Sequence, residues 1–478
     1  MRQTILYLPA QIVGPLAQMA AMIVWTHWLT PEALGAYAIV WAIQELAGLA
    51  ALSWWSAYVL RYAATLTSAD DRRRLDAMES AVQVGAALLQ TAIAVAAVRF
   101  ALDIEPSVQL IAATLAFALS RNIASHFADR ARAHVEIAAF SVLQIVGSLA
   151  GLGFGLAALA VLPATPETLL WAYAAAQGLA LALALPLMRW RPRRPGIDGD
   201  LLRAAWRYGA PLLVASLLVW LGSHAIRFVV QYEEGVAAVG YVTVGWWLGL
   251  RLTTFAALLV SGASFTVAVQ RINEVGHRAA LPQFATNGAL LLAILVPAVA
   301  GVIVLGPSLV EALVAEPYRA ATQAILPLAV AAGALRVFKN HGSDQCFLLF
   351  ERTTLNVWST VLEALATALG CWIGLKLGGV YGAVLGCLAA ACVAEAASFA
   401  VARRLFGYYL NWSDLARIAG AAATMSGVLI ALPMAHTLGG LLLEVAAGVA
   451  VYGAAMAALY PEPARWMAGK AGALLARR

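Results

Sequence analysis

Residues 285–307 read ATNGALLLAILVPAVAGVIVLGP, with no ionisable side chain in the run. Coiled as an α-helix, such a run crosses a hydrocarbon layer about 30 Å thick. The apolar residues are continuous, whereas a membrane barrel strand alternates apolar and polar with period two. Comparable runs, rich in Ala and Leu, recur along the chain of 478 residues. They account for a composition that is 62% hydrophobic and only 12% charged, where soluble domains carry about 25% charged residues. The reading is an all-α polytopic membrane protein.

Extended outward from residues 285–307, this reading gives fourteen spans. They lie near 5–29, 35–59, 80–98, 108–126, 137–161, 168–188, 205–230, 237–268, 285–307, 322–342, 352–375, 380–402, 413–434 and 438–460. Helix breakers fall between them: Thr30-Pro31, Pro163, Pro166, Pro195-Gly196, Gly306-Pro307 and Gly378-Gly379. Charge tests the count. With the N-terminus placed inside and the spans alternating, the inside segments collect Arg61, Arg72–Arg74, Arg121, Arg130, Arg189–Arg194 and their like. The outside segments hold only Arg99, Arg227, Arg319 and Lys376, and Arg251 is left within a span. That asymmetry follows the positive-inside rule and places both termini in the cytoplasm. It also implies that the first helix stays in the mature protein, since removing it would leave an odd number of spans. The net charge of +6 is thus a matter of orientation and does not point to nucleic acid.

A weak internal repeat divides the chain. Tyr7-Leu8-Pro9, then Leu34-Gly35-Ala36-Tyr37 and a helix ending near Arg61, are echoed by Tyr208-Gly209-Ala210-Pro211, Val239-Gly240-Tyr241 and a helix ending near Arg271. Two six-helix repeats, a transporter signature, would occupy residues 1–190 and 205–405. A basic linker would lie at 191–204, and two added helices with a cytoplasmic tail at 406–478.

Motifs of chemistry are missing. No GxxxxGK[ST] loop, HExxH or nucleophile elbow occurs. Gly147, Gly151 and Gly155 form a small-residue stripe spaced by four, suited to close helix packing. Cys346, Cys371, Cys387 and Cys392 show no CxxC spacing, so neither a metal site nor a disulfide framework is expected. An enzyme is not expected, and no cofactor beyond H+ or Na+ as a coupling ion.

The informative residues are ionisable groups far from a span's ends, where a charge costs about 2.5–3.5 kcal/mol even on insertion scales. Arg251 is the sharpest, with Trp247 one turn earlier on the same face. Guanidinium binds phosphate through two parallel N–H groups, so Arg251 suits an anionic substrate or a buried Glu. Glu45 follows Trp41 at the same spacing in the equivalent helix of the first repeat, which makes Trp41, Glu45, Trp247 and Arg251 the candidate cavity residues. Glu363 and Glu395, together with Glu45, are candidates to bind a coupling ion. His224 and Arg227 at the outer end of one helix, and Arg336 and Lys339 at the inner end of another, are candidate gates.

At this point the chain resembles a known family. Leu29-Thr30-Pro31-Glu32-Ala33-Leu34-Gly35-Ala36-Tyr37, Tyr208-Gly209-Ala210-Pro211-Leu212-Leu213, Val239-Gly240-Tyr241 and Gly378-Gly379-Val380-Tyr381-Gly382-Ala383-Val384 occur in the order seen in polysaccharide and oligosaccharide flippases of the multidrug/oligosaccharidyl-lipid/polysaccharide exporter superfamily. The two last helices resemble its fourteen-helix members, the lipid II flippases among them. The resemblance implies two six-helix bundles around a cationic cavity, alternating access, and an undecaprenyl-diphosphate-linked oligosaccharide as substrate. Arg251 matches the family's arginine on helix 8. The Asp that many members carry before the arginine near the end of helix 7 is here Ile226. A monomer in a bacterial inner membrane, working beside the polymerase and glycosyltransferases of one pathway, is the implied setting. The alternative is a cation-coupled drug antiporter of the same fold, kept open by Glu45 and Glu363.

Overall fold

The computed structural model describes residues 2–65, 68–101, 107–190 and 193–461. Arg191 and the basic residues of the tail, Arg465, Lys470, Arg477 and Arg478, lie outside them. Among the described residues there are thirteen α-helices and no strand. Two of the helices contain a break in helical geometry, at Gly235 and at Gly378-Gly379. The short helix Asp344–Leu349 continues its predecessor through a π turn, Lys339–Ser343.

Counted as spans, the elements are α1 (Arg2–Thr26), α2 (Pro31–Tyr62), α3 (Ala69–Ala101), α4 (Val108–Ala133), α5 (Ile137–Val161), α6 (Pro166–Ala184), α7 (199–234), α8 (236–275), α9 (Leu281–Leu313), α10 (Glu316–Leu349), α11 (353–377), α12 (380–406), α13 (Trp412–Ala431) and α14 (Leu438–Leu459). Among the described residues, eleven stretches are long and apolar enough to cross a membrane, and the two longest, Gly199–Ala256 and Thr353–Phe406, hold the paired spans. The chain is a multi-pass membrane protein with the expected all-helical architecture.

Local chemistry sets the helix starts. Thr30 caps α2, its hydroxyl accepting from the amide of Ala33 at 3.3 Å, with Pro31 in the first turn. Ser107, Thr165 and Thr437 cap α4, α6 and α14 in the same way. At the two breaks, Gly235 (φ 82°) and Gly379 (φ 59°) adopt positive φ, which costs glycine little because it has no Cβ.

Several boundaries differ from the hydropathy reading: Gly306-Pro307, expected to close the ninth span, lies inside α9, and two others bear on the site. α3 begins at Ala69, about three turns earlier than expected, because the polar stretch around Asp70 and Arg74 is itself helical and joined by an i,i+4 ion pair. α4 runs on to Ala133. Arg121, placed by sequence in an inside segment, therefore sits in the middle of a helix. Falling hydropathy over 121–133 does not mark the end of α4, because polar residues there find buried partners.

The chain forms two compact units, Met1–Thr243 and Val244–Arg478. Residues 199–204 of the expected linker already belong to α7, which packs along α2 within unit 1. Gly209 lies against the backbone of Trp54, and Trp220 Nε1 donates to the carbonyl of Ala42 at 3.1 Å. The first turn of α8 reaches the start of α2, where Gly240 meets Pro31. In α5 the stripe of Gly147, Gly151 and Gly155 receives side chains, namely Gln177 and Tyr173 of α6 and Trp25 of α1. In unit 2, α11 and α12 form a tight hairpin. Gly370 and Gly374 face Gly386 and Gly382 so closely that a Cβ on any of them would run into the backbone of the other helix.

Candidate functional site

In unit 1, α2 presents Trp41 and Glu45 one turn apart on one face. Trp41 lies within an aromatic group, with ring centroids 5.2 Å from Phe117, 5.6 Å from Tyr173 and 5.8 Å from Tyr37. Over its ring, at 4.7 Å from the centroid, sits the guanidinium of Arg121 from α4. Sequence reasoning missed Arg121 because, although it falls within the expected span 108–126, it was grouped with the basic residues of the inside segment. The signal available was its position more than three turns beyond the Ser107 cap.

Glu45 and the candidate gate on α7 come together. Glu45 Oε2 is 3.2 Å from His224 Nε2, and His224 Nδ1 is 2.7 Å from Arg227 Nη1. A guanidinium can only donate, so Nδ1 accepts and the hydrogen of a neutral imidazole lies on Nε2, directed at Glu45. Trp220 stacks on the imidazole at 5.4 Å. His224 and Arg227 are buried, while the Glu45 side chain is half-exposed. Beside them Gln44 donates to Asn122 at 2.5 Å.

A second polar cluster in unit 1 lies toward the C-terminal end of α4 and has no counterpart among the sequence-based candidates. His126 Nε2 is 2.8 Å from Glu79 Oε1, and Arg130 bridges Glu79 (2.9 Å) and Asp76 (3.0 Å). Glu79 and His126 are almost wholly buried. The spacing was the readable signal, since Asp76 and Glu79 are three apart on α3 and His126 and Arg130 four apart on α4. Every member has a charged partner, so the cluster acts as a brace between the two helices.

In unit 2, the Arg251 guanidinium lies over the Trp247 ring, 5.2 Å from its centroid and half-buried. The Trp–Arg stack of unit 1 therefore has a counterpart on α8. Trp41 and Trp247 occupy matching places in the sequence repeat, but the two arginines arrive differently, one from another helix and one from the next turn.

Unit 2 also joins the remaining candidates. Glu363 on α11 is gripped by Arg336 (3.1 Å) and Lys339 (3.0 Å), both from α10. Lys339 also holds Asp344 at 2.7 Å, across the π turn. Asp344 accepts from Ser359 at 2.9 Å and from Ser398, and Arg336 donates to Thr367 at 3.0 Å. Glu395 on α12 stands apart, its Oε1 accepting from Ser343 at 2.8 Å. The two gate candidates thus neutralise one ion-coupling candidate and leave the other alone. Among the described residues no group of three or more His, Cys, Asp or Glu could hold a metal ion.

The profile of a polysaccharide biosynthesis protein family matches residues 24–323. No curated protein matches the sequence. Among solved structures, the chain is similar to the lipid II flippase MurJ in an inward closed conformation. The TM-score is 0.70 at 13% identity, covering 96% of this chain and 99% of that one. It is also similar to an inward-facing multidrug resistance MATE transporter of the MOP superfamily, with TM-score 0.57, 15% identity and coverage of 84% and 98%. A MOP superfamily transporter from Pyrococcus furiosus gives TM-score 0.53 at 14% identity, with coverage of 85% and 94%. At these identities the structures establish a shared fold. The profile covers well over half of the sequence, so the chain belongs to the polysaccharide biosynthesis protein family it describes.

Proposed function

We propose that the chain is a flippase for a lipid-linked oligosaccharide. It would carry an undecaprenyl-diphosphate-linked sugar from the inner to the outer leaflet of a bacterial inner membrane, by alternating access coupled to an ion gradient. The observation that carries this reading is the pair of arginines deep in their helices, Arg121 and Arg251, each lying over a tryptophan. A cation–π contact contributes about 0.5–2 kcal/mol toward holding each guanidinium in place. Phosphate oxygens would add two charge-assisted hydrogen bonds per guanidinium. The tryptophan holds the planar fork in place, which a lysine would not exploit. Family membership supports a role in polysaccharide synthesis, and the basic residues between spans support cytoplasmic termini.

The test is complementation of a strain lacking this chain. Arg121→Ala and Arg251→Ala are expected to abolish surface polysaccharide while lipid-linked intermediate accumulates, and the Lys variants to restore part of the output. Full output from both Ala variants at normal protein level would sink the reading. The half-exposed Glu45 favours a second reading, a drug/cation antiporter. Dye efflux conferred on a pump-deficient strain would support that one instead.

A further inference from the structure

Glu395 is the one carboxylate of the unit 2 cluster that the neighbouring cations leave unmatched. Arg336 and Lys339 are taken up by Glu363 and Asp344, through contacts of 2.7–3.1 Å. Glu395 is 8% exposed, and its only hydrogen bond among the described residues is from Ser343 to Oε1. Oε2 is buried and has no hydrogen-bond partner. The cation near Glu395, Lys339, is already paired with Asp344 and Glu363, so Glu395 is costly as an anion and a proton rather than a fixed ion pair is the inexpensive way to neutralise it.

Glu395 also has an access route. It lines a cavity of about 720 Å³ whose wall also carries Arg403, near the end of α12, and residues 409–412 after it. Cys392 lies one turn before it on the wall, and Phe338, Phe399, Arg403 and Trp412 complete the lining. The titratable and charged groups facing Glu395 come from every packed element. They are Lys339 and Asp344 on α10, Glu363 on α11, Arg403 and Cys392 on α12, and Tyr408 and Tyr409 in the following loop. A sodium ion would need several oxygen ligands, and the wall of this cavity is mainly hydrocarbon and aromatic.

We propose that Glu395 carries the coupling proton, loaded and released through this cavity from the side of the membrane where Arg403 lies. The step is an exchange, in which water in the cavity delivers H+ to Oε2, giving a neutral carboxylic acid, and the reverse step returns it. Glu363 is held by two cations and serves to fix Arg336 and Lys339. The assignment rests on the ion-coupled transport reading above, but its test needs no lipid substrate.

The intact protein, reconstituted in vesicles, is treated with dicyclohexylcarbodiimide, which adds to protonated carboxyl groups in apolar surroundings, and the modified peptide is identified by mass. Glu395 is expected to be labelled, with labelling lost as pH is raised and absent in Glu395→Gln. A charged, membrane-impermeant thiosulfonate on Cys392, the exposed cysteine of the four, is expected to block labelling when added from the Arg403 side and not from the other, with Cys392→Ser insensitive. Labelling of Glu363 instead, labelling indifferent to pH, or Cys392 modification that leaves labelling unchanged would each overturn the proposal. These readouts use the unsubstituted chain, so a misfolded Glu395→Gln variant does not remove the test. A chain that labels on Glu395 yet moves no lipid-linked oligosaccharide would keep the proton site and refute the flippase reading. The opposite result would do the reverse.

Discussion

Replacing Lys339 by Met should be among the more damaging single changes in unit 2. The lysine is 1% exposed, and its Nζ lies 2.7 Å from Asp344 and 3.0 Å from Glu363. Met has a similar length and no charge, so little packing is lost. What remains is an uncompensated Asp344, and breaking a buried pair from one side typically costs about 3–5 kcal/mol. Glu363 keeps Arg336 at 3.1 Å, so the loss falls mainly on Asp344. The second variant, Lys339→Met with Asp344→Asn, removes that stranded charge. An asparagine Oδ1 can still accept from Ser359 and Ser398, as Asp344 Oδ1 does now. The double variant should therefore recover at least about half of the single variant's loss, a coupling of roughly 1.5–3 kcal/mol. The assay is heat inactivation in detergent, read as the fraction still monodisperse on gel filtration. At about 2–4 °C per kcal/mol, the single variant should shift the midpoint down by roughly 10 °C. A loss below about 1 kcal/mol, or a double variant as weak as the sum of its parts, would refute the claim that these charges stabilise one another.

Two further outcomes are expected. Gly386→Leu should collapse the yield of folded protein, because its side chain would enter the backbone of α11 at Gly370, whereas Gly420→Leu on α13, with open space around it, should be tolerated. The measurement is folded yield by gel filtration. His134, just beyond the end of α4, has its pKa pushed down by burial and then by Arg130. The unfolded chain therefore takes up this proton first as pH falls, so stability held above about pH 6.5 is lost on acidification. His134→Asn should show a smaller acid-side loss in thermal midpoints measured across that window.

The spans were legible because each is long, apolar and closed by Pro, Gly or a capping hydroxyl, and these are local properties. Boundaries failed where polar residues are helical for tertiary reasons. Arg121, His126 and Arg130 look like the end of a span until Trp41 and Glu79 are seen against them. For the candidate site, spacing brought out Trp247 with Arg251 and Trp41 with Glu45, since helix geometry alone puts residues four apart on one face. Partners from other helices could not be read this way. Glu363 looked like a bare carboxylate because Arg336 and Lys339 lie on a different span, and Glu45 was considered without His224. Glu395 was singled out as a deep charge, but sequence could not show that it alone would remain unmatched.

The close pairing of α11 and α12 bears on how the protein is made. The two helices are neighbours in the chain, joined at Gly378-Gly379, and meet through the backbones of Gly370, Gly374, Gly382 and Gly386. Association of this kind in lipid rests on van der Waals contact between small residues and requires no third helix. The hairpin can therefore close as soon as α12 enters the bilayer during synthesis, before α13 and α14 emerge. Assembly of unit 2 would then begin from a ready-made pair, onto which the charged turn of α10 docks.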